Sequence, residues 1–212
     1  MSSERIEGVV AVILAAGLSA RMAPQNKLLL EFGGKPLVRR LAHEALSSKV
    51  AQVIVVVGHD RWNVRKALAG LPVTIVENPD YTESQMTSVR VGVLAAPEAA
   101  GYLIVPGDMP LLTSNDFDRL IARFEELGCE KAVVPFDDAE RGNPIVIPGW
   151  SREEMYRRGI NFGCRNLLIN FPELVSPLKT SEPQFFQDCD TLEAYRDLLQ
   201  LFEQKQPAAK SA

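Results

Sequence analysis

Histidine is nearly missing from this 212-residue sequence: there are two, His43 and His59, too few for a zinc-type cluster. Cysteine is almost as scarce. Cys129, Cys164 and Cys189 are odd in number, widely spaced and without a CxxC pair, so they read as free or buried thiols of a reducing cytoplasm. An excess of base is absent too. The 23 Lys and Arg stand against 27 Asp and Glu, a net charge of −4, which argues against a nucleic-acid binder working through a broad basic surface. No uncharged apolar stretch reaches the ~18 residues of a membrane span. The opening MSSERIEG lacks a basic region, a secretory core and a cleavage site, so no leader is expected. Neither a GxGxxG fingerprint nor a GK[ST] phosphate loop occurs,. What is present is the balance of an ordinary globular chain, 46% hydrophobic and 24% charged,. It is long enough to bury about 70% of its unfolded surface and needs no disulfide or metal to fold.

The apolar run Val9 to Leu14 predicts a strand buried on both faces. A loop follows from Ala15 to Lys27, and Pro36 opens a helix whose apolar face is Leu37, Val38, Leu41, Ala42, Ala45 and Leu46,. Further strands are expected at 52–58, 73–76 and 102–105, with short ones at 132–134 and 145–147. Helices are expected at 62–69, 85–96 and 114–127, around Met155 and from Asn166 to Ile169. Phe117, Leu120, Ile121, Phe124 and Leu127 stripe the helix that Gly128 ends,. Asp190 to Glu193 reads as a capping box for a last helix through Phe202,. No repeat or linker divides the chain. A single domain over 5–204 and a disordered polar tail over 205–212 are expected. Strands alternating with helices call for an α/β fold with a mostly parallel sheet covered on both faces, whose ligands bind beyond the carboxyl ends of the strands.

Four loops lie at such places. Leu14-Ala15-Ala16-Gly17-Leu18-Ser19-Ala20-Arg21-Met22, with Lys27 beyond, offers small residues that let a ligand approach the backbone. Arg21 and Lys27 add the fork and the point charge that suit a polyphosphate. A glycine turn beside two solvated cations fits the same residues. Pro106-Gly107-Asp108-Met109-Pro110 places a carboxylate at a strand end, suited either to Mg²⁺ or to capping a turn. Thr87, Ser88 and Arg90 at a helix start suit a base edge, ribose or phosphate, or are caps. Arg141 to Pro144 and Gly159 to Arg165 read as ordinary loops on their own. His43 is expected on a helix surface, His59 in a loop and Trp62 in packing.

Taken in order and spacing, these segments resemble the MobA-like nucleotidyltransferases, in particular the cytidylyl-transferring branch that acts on molybdenum cofactor. Leu14, Ala16, Gly17, Ser19, Arg21, Met22 and Lys27 match the family's LxAGxSxRMG…K, with Ala23 in place of the last glycine. Asn78-Pro79-Asp80-Tyr81, Ser88-Val89-Arg90, Gly107-Asp108-Met109-Pro110, Arg141-Gly142-Asn143-Pro144 and Asp188, Asp190 and Thr191 are similar to its later elements. The likeness covers residues 9 to about 200. It implies a Rossmann-like three-layer sandwich of the nucleotide-diphospho-sugar transferase type, with CTP and molybdopterin cofactor as substrates, Mg²⁺ as cofactor and a molybdenum hydroxylase receiving the product. It further implies nucleotide contacts at Leu14, Ala15, Ala16, Gly17, Ser19, Arg21, Lys27, Thr87, Ser88 and Arg90, with the methyls of Ala15 and Ala16 narrowing the base pocket. Arg21, Lys27 and Asp108 would be catalytic, and Arg141, Asn143, Asn161 and Arg165 would face the acceptor. Asp108 and Asn161 would hold the metal. Asn161 departs from the family's aspartate, and its amide oxygen can still ligate Mg²⁺, without the charge.

Overall fold

The computed structural model describes residues 6–138, 140–158 and 169–205. Its centre is an eight-stranded sheet in the order β10-β7-β9-β6-β1-β4-β5, with β8 paired to β7. The strands are β1 (Ile6–Ala15), β4 (Gln52–Val57), β5 (Thr74–Glu77), β6 (Ala99–Pro106), β7 (Ala132–Asp137), β8 (Glu140–Arg141), β9 (Ile145–Pro148) and β10 (Val175–Lys179). β5, β4, β1 and β6 run parallel, β9 is antiparallel to its neighbours, and β10 pairs parallel with β7. β2 (Glu31–Phe32) and β3 (Lys35–Pro36) form a small separate hairpin. The expectation of a mostly parallel α/β sheet holds.

Period-two alternation along β1 builds two cores at once. Val9, Ala11, Ile13 and Ala15 enter one, with Leu41 of α1 (Leu37–Leu46), Val64 of α2 (Arg61–Ala67) and Phe117, Leu120 and Phe124 of α4 (Ser114–Glu126). Val10, Val12 and Leu14 enter the other, with Val89 and Val93 of α3 (Gln85–Ala95) and Met155 of α5 (Ser151–Arg158). This is why the run from Val9 to Ala15 lacks any polar position: neither of its faces meets water. α3 rests on β1 through Gly92, where a Cβ would collide with Val12 Cγ1. That close approach sets the height of α3 above the strand ends. A third cluster, Phe32, Leu37, Leu111, Cys189, Leu198 and Phe202, seats the C-terminal helix Leu192–Lys205 on the hairpin.

Several local expectations change. Pro36 caps α1 rather than opening it. Trp62 does not pack: it is 73% exposed, and the Arg61 guanidinium lies 5.4 Å from its ring centroid. The cap of the last helix is Thr191, whose Oγ1 accepts from Ala194 N at 3.1 Å, while Asp190 turns elsewhere. The capping box that does form, Thr113 with Asp116 at the start of α4, escaped the sequence reading. So did β2, β3, β8 and β10, which are too short or too interrupted by proline to show a period. His43 is exposed on α1, as expected. The helix expected from Asn166, except Ile169, Cys164 and the tail beyond Lys205 lie outside the described residues. Among the described residues no helix is long and apolar enough to cross a membrane.

Candidate active site

The loop after β1 is braced from within. Ser19 adopts the left-handed region, φ 51°, and its Oγ donates to Asn26 Oδ1 at 3.3 Å while accepting from Lys27 N at 3.3 Å. Asn26 is buried. It accepts from Leu28 N at 3.0 Å and donates to Asp60 Oδ2 at 3.4 Å, tying the loop to the end of β4. The result is a fixed stem for Lys27, whose Nζ lies 2.6 Å from Asp108 Oδ2 and 2.6 Å from Asp190 Oδ1. Arg21 reaches Asp190 from the solvent side at 2.8 Å. Cys189 N donates to Asp108 O at 2.8 Å, which docks the 188–190 segment beside the β6 end.

Asp108, Asp188 and Asp190 offer carboxylate oxygens that lie within 4.8 Å of one another. Burial and the neighbouring Asp190 and Asp108 charges push the Asp188 carboxyl above its ordinary value. Burial also acts to raise Asp190, but Lys27 and then Arg21 outweigh it and hold that carboxyl below the usual range. Burial would lower the Lys27 ammonium, and Asp108 and Asp190 reverse the sign. The Cys189 thiol, buried between these groups, is pushed up to about 11 and stays protonated. Three carboxylates against the Lys27 ammonium and the Arg21 guanidinium leave one negative charge uncompensated. A hard, oxygen-preferring divalent cation fits that donor set.

Two clefts meet here. One, of about 190 Å³, is walled by Leu14, Ala16, Gly17, Lys27, Leu28 and Gly107 on the β1 and β6 side and by Tyr81, Gln85 and Ser88 opposite, with Asp108 at its end. The other, of about 270 Å³, runs from Gln85 and Asp108 past Asp188 and Asp190 to Glu140, Arg141, Asn143 and Phe186. A larger cavity of about 780 Å³, by Ala99, Gly149 and Trp150, opens at the far end of the sheet and contains none of the sequence-predicted site residues.

Of those residues, Leu14, Ala16, Gly17, Lys27, Ser88 and Asp108 line the first cleft, and Arg141 and Asn143 line the second. Ala15 is fully buried, with its methyl in the core, and of the two alanines only Ala16 lines the cleft. Ser19 braces the loop, Arg21 stands outside both clefts on Asp190, and Thr87 is spent on internal bonds to Asp80 O and Ser84 O at 3.1 and 2.8 Å. Arg90 Nε donates to Met155 O at 3.4 Å, away from both clefts. His59 lines neither. Asn161 and Arg165 lie outside the described residues. The sequence reading gave no role to Asn78, which is fully buried and donates to Thr87 Oγ1 at 2.8 Å and Ser88 Oγ at 2.9 Å. Asp188, Tyr81 and Gln85 were likewise without one, and Asp190 was given only a capping role, although all but Gln85 sit in or beside quoted motifs.

A mostly parallel sheet whose strand ends gather a loop of small residues, a lysine and three carboxylates defines an α/β domain of the Rossmann-like kind. The chain belongs to the MobA-like NTP transferase domain family, whose model matches residues 11–171. It is 36% identical over 124 residues to the bifunctional protein GlmU of Lactobacillus delbrueckii subsp. bulgaricus, covering 58% of this chain and 27% of that protein. The chain thus spans about a quarter of the length of the GlmU relatives. It is 28% identical over 196 residues to nicotine blue oxidoreductase of Paenarthrobacter nicotinovorans, covering 90% of this chain and 96% of that one. Among solved structures, a nucleotidyl transferase from Methanothermobacter thermautotroptrophicus superposes with a TM-score of 0.79 at 21% identity, over 94% of this chain and 99% of that chain. Molybdopterin-guanine dinucleotide biosynthesis protein A from Archaeoglobus fulgidus superposes at 0.68 and 16% identity, over 92% and 99%. At these identities the structures establish the shared fold.

Proposed function

We propose that this protein, as a single domain over residues 5–204, transfers CMP from CTP to the terminal phosphate of molybdopterin cofactor and releases pyrophosphate. The observation that carries the reading is the meeting of two clefts at Asp108, with Lys27 bonded to it. A donor in one cleft and an acceptor in the other would present their reacting phosphates to the same carboxylate and ammonium. Leu14, Ala16 and Gly17, with the buried Ala15 backbone between them, would lie along the base and ribose. Ser88, oriented by Asn78, would direct its own hydroxyl proton toward the sugar. Lys27 and Arg21 would exchange Asp190 for the β- and γ-phosphates. No general base is required, because the attacking phosphate is already ionised at neutral pH, and catalysis rests on positioning and charge stabilisation.

Asp108, Asp188 and Asp190 would hold Mg²⁺, with Asn161 as the further ligand its sequence position implies. The bound ion would offset charge building on the phosphate oxygens. The second cleft sharpens this requirement. Its charged walls are Asp108, Glu140, Asp188 and Asp190 against Arg141, so an anionic acceptor would enter only with added positive charge. Arg141 and Asn143 would receive it, joined by Arg165 on sequence grounds. The product would pass to a molybdenum hydroxylase in the cytoplasm. The same polar walls also suit the hydroxyls of a sugar phosphate, so an acceptor screen should include one.

The test is a calorimetric titration of the four ribonucleoside triphosphates with Mg²⁺, followed by pyrophosphate release from CTP with molybdopterin cofactor or a hexose 1-phosphate as acceptor. CTP binding and release with molybdopterin are the expected results. Binding of no triphosphate would remove the reading altogether, and release only with the sugar phosphate would reassign the acceptor.

A further inference from the structure

The two clefts share Asp108 and one other side chain among their described walls, Gln85. Asp108 lies two residues beyond the end of β6, whereas Gln85 comes from the opposite side, as the first residue of α3. Ser88, one helical turn on, lines the donor cleft on the same face,. The height of both is fixed by the contact of Gly92 with β1. Gln85 is exposed, and its carboxamide makes no hydrogen bond to any described residue. By contrast, the hydroxyl of neighbouring Thr87 and the amide of Asn78 are fully engaged inside the loop. The cations nearby, Lys27 and Arg21, are held against carboxylates. Gln85 is therefore the uncommitted neutral donor at the junction.

We propose that Gln85 is a catalytic residue: its Nε2–H donates to a non-bridging oxygen of the α-phosphoryl group while that group passes from one cleft to the other. The proposal rests on the nucleotidyl-transfer reading and adds a residue to it. In the step, an oxygen of the acceptor phosphate forms a bond to the α-phosphorus. The bond from that phosphorus to the β-bridging oxygen breaks, and its electron pair leaves with pyrophosphate. Gln85 neither gains nor loses a proton. A carboxamide brings two N–H donors without a charge. It can therefore follow the transferred group without adding a further cation for Asp108 or Asp190 to capture.

The experiment compares the wild-type chain with Gln85→Ala and Gln85→Glu, using whichever triphosphate binds in the calorimetric screen. The ³¹P resonances of the bound nucleotide are recorded with Mg²⁺, together with melting temperature, kcat and KM. For Gln85→Ala the expected result is an α-phosphorus resonance that moves while β and γ stay, nucleotide Kd and KM within about threefold, and an unchanged melting temperature. Its kcat should fall roughly a hundredfold, the scale of one lost preorganised donor. Gln85→Glu should be slower still, since it sets a negative charge beside the phosphates. An α-phosphorus resonance identical in wild type and Gln85→Ala, or a Gln85→Ala kcat within twofold of wild type, would overturn the proposal. The resonance comparison needs no acceptor. A failure confined to it is thereby distinct from a failure of any triphosphate to bind, which would strike the functional reading instead.

Discussion

The ammonium of Lys27 lies 2.6 Å from a carboxylate oxygen of Asp190, a residue 163 positions further along the chain. The contact joins the first loop of the fold to the segment just before its last helix, across the end of the sheet. With Asp108 on its other side at the same distance, Lys27 stands among carboxylates that would otherwise repel one another. The arrangement makes the cation and the acidic residues interdependent, and substitutions there should show it.

Lys27→Met removes the shared cation and leaves Asp108 and Asp190 facing each other. The side chains of Lys27 and Asp190 retain 14% and 24% exposure, so the cost should be about 1–3 kcal/mol, less than the 3–5 kcal/mol of a fully buried broken pair. At about 2–4 °C per kcal/mol for a chain of this size, a lower melting temperature in a chelator is expected. Millimolar MgCl₂ should restore part of it by replacing the ammonium. The pH dependence follows from the two directions. Lys27 is raised above 10.5, so its contribution is present below that value and is lost as pH rises through its folded pKa,. Asp190 is lowered below 3.8, so its contribution is present above that value and is lost as pH falls through its folded pKa,. The gap between wild type and variant should thus be widest between those limits and close in acid below 3.8. A gap independent of pH and Mg²⁺ would show that the ion pair contributes nothing.

Asp108→Asn keeps size and hydrogen bonding but removes the charge that faces both clefts. Turnover should fall at least about a hundredfold, with the melting temperature held within a few degrees. Melting curves and Mg²⁺-dependent pyrophosphate release on this one variant decide the matter. Near-normal release at saturating Mg²⁺ would place the metal elsewhere.

Asn78→Ala deletes a buried amide that serves Thr87 Oγ1, Ser88 Oγ and Asp80 N together. Stranding those groups should cost about 1–3 kcal/mol. Ser88 should also lose its orientation, weakening nucleotide affinity in calorimetry beyond what Ser88→Ala alone does. A variant with unchanged stability would mean that water replaces the amide without loss.

Gly58→Ala probes the wall between β4 and the donor cleft. A Cβ there would sit 2.7 Å from Tyr81 Cβ and 2.9 Å from Ala16 Cβ. Overpacking of this kind costs about 1–3 kcal/mol, and the displaced Tyr81 and Ala16 both line the cleft. Lower stability and lower CTP affinity should appear together. Loss of stability with full affinity would detach Tyr81 from the nucleotide site.

On the proposed reading, base choice would rest on Ala16 and not on the pair that the sequence offered, because Ala15 is buried in the core. Shape discrimination of that size is modest, about 1–3 kcal/mol, so CTP should be preferred to GTP by roughly ten- to a few hundred-fold. A competition assay that favours GTP would reverse the assignment.

The sequence by itself determined the central strands and the main helices, because the Val9–Ala15 run of β1 lacks any polar residue and α1 and α4 carry apolar residues at helical spacing; burial of such patterns needs no distant partner to be legible. It also determined the cationic and acidic loops, since Arg21, Lys27 and Asp108 follow strand ends where a parallel sheet gathers its ligands. Only the tertiary structure decided what those groups touch. Asp190 looked like a helix cap because local chemistry favours Asp there, yet Lys27, far away in the chain, claims it and leaves capping to Thr191. Ala15 and Ala16 look alike in sequence, but Ala15 ends the strand with its methyl in the core, and Ala16, just past the strand end, lines the cleft. Trp62 looked apolar enough to bury, yet its ring is left exposed beside Arg61. Gln85 carries no signal in one dimension at all. Its position between two clefts comes from the height at which Gly92 lets α3 settle on β1, a property of packing in three dimensions.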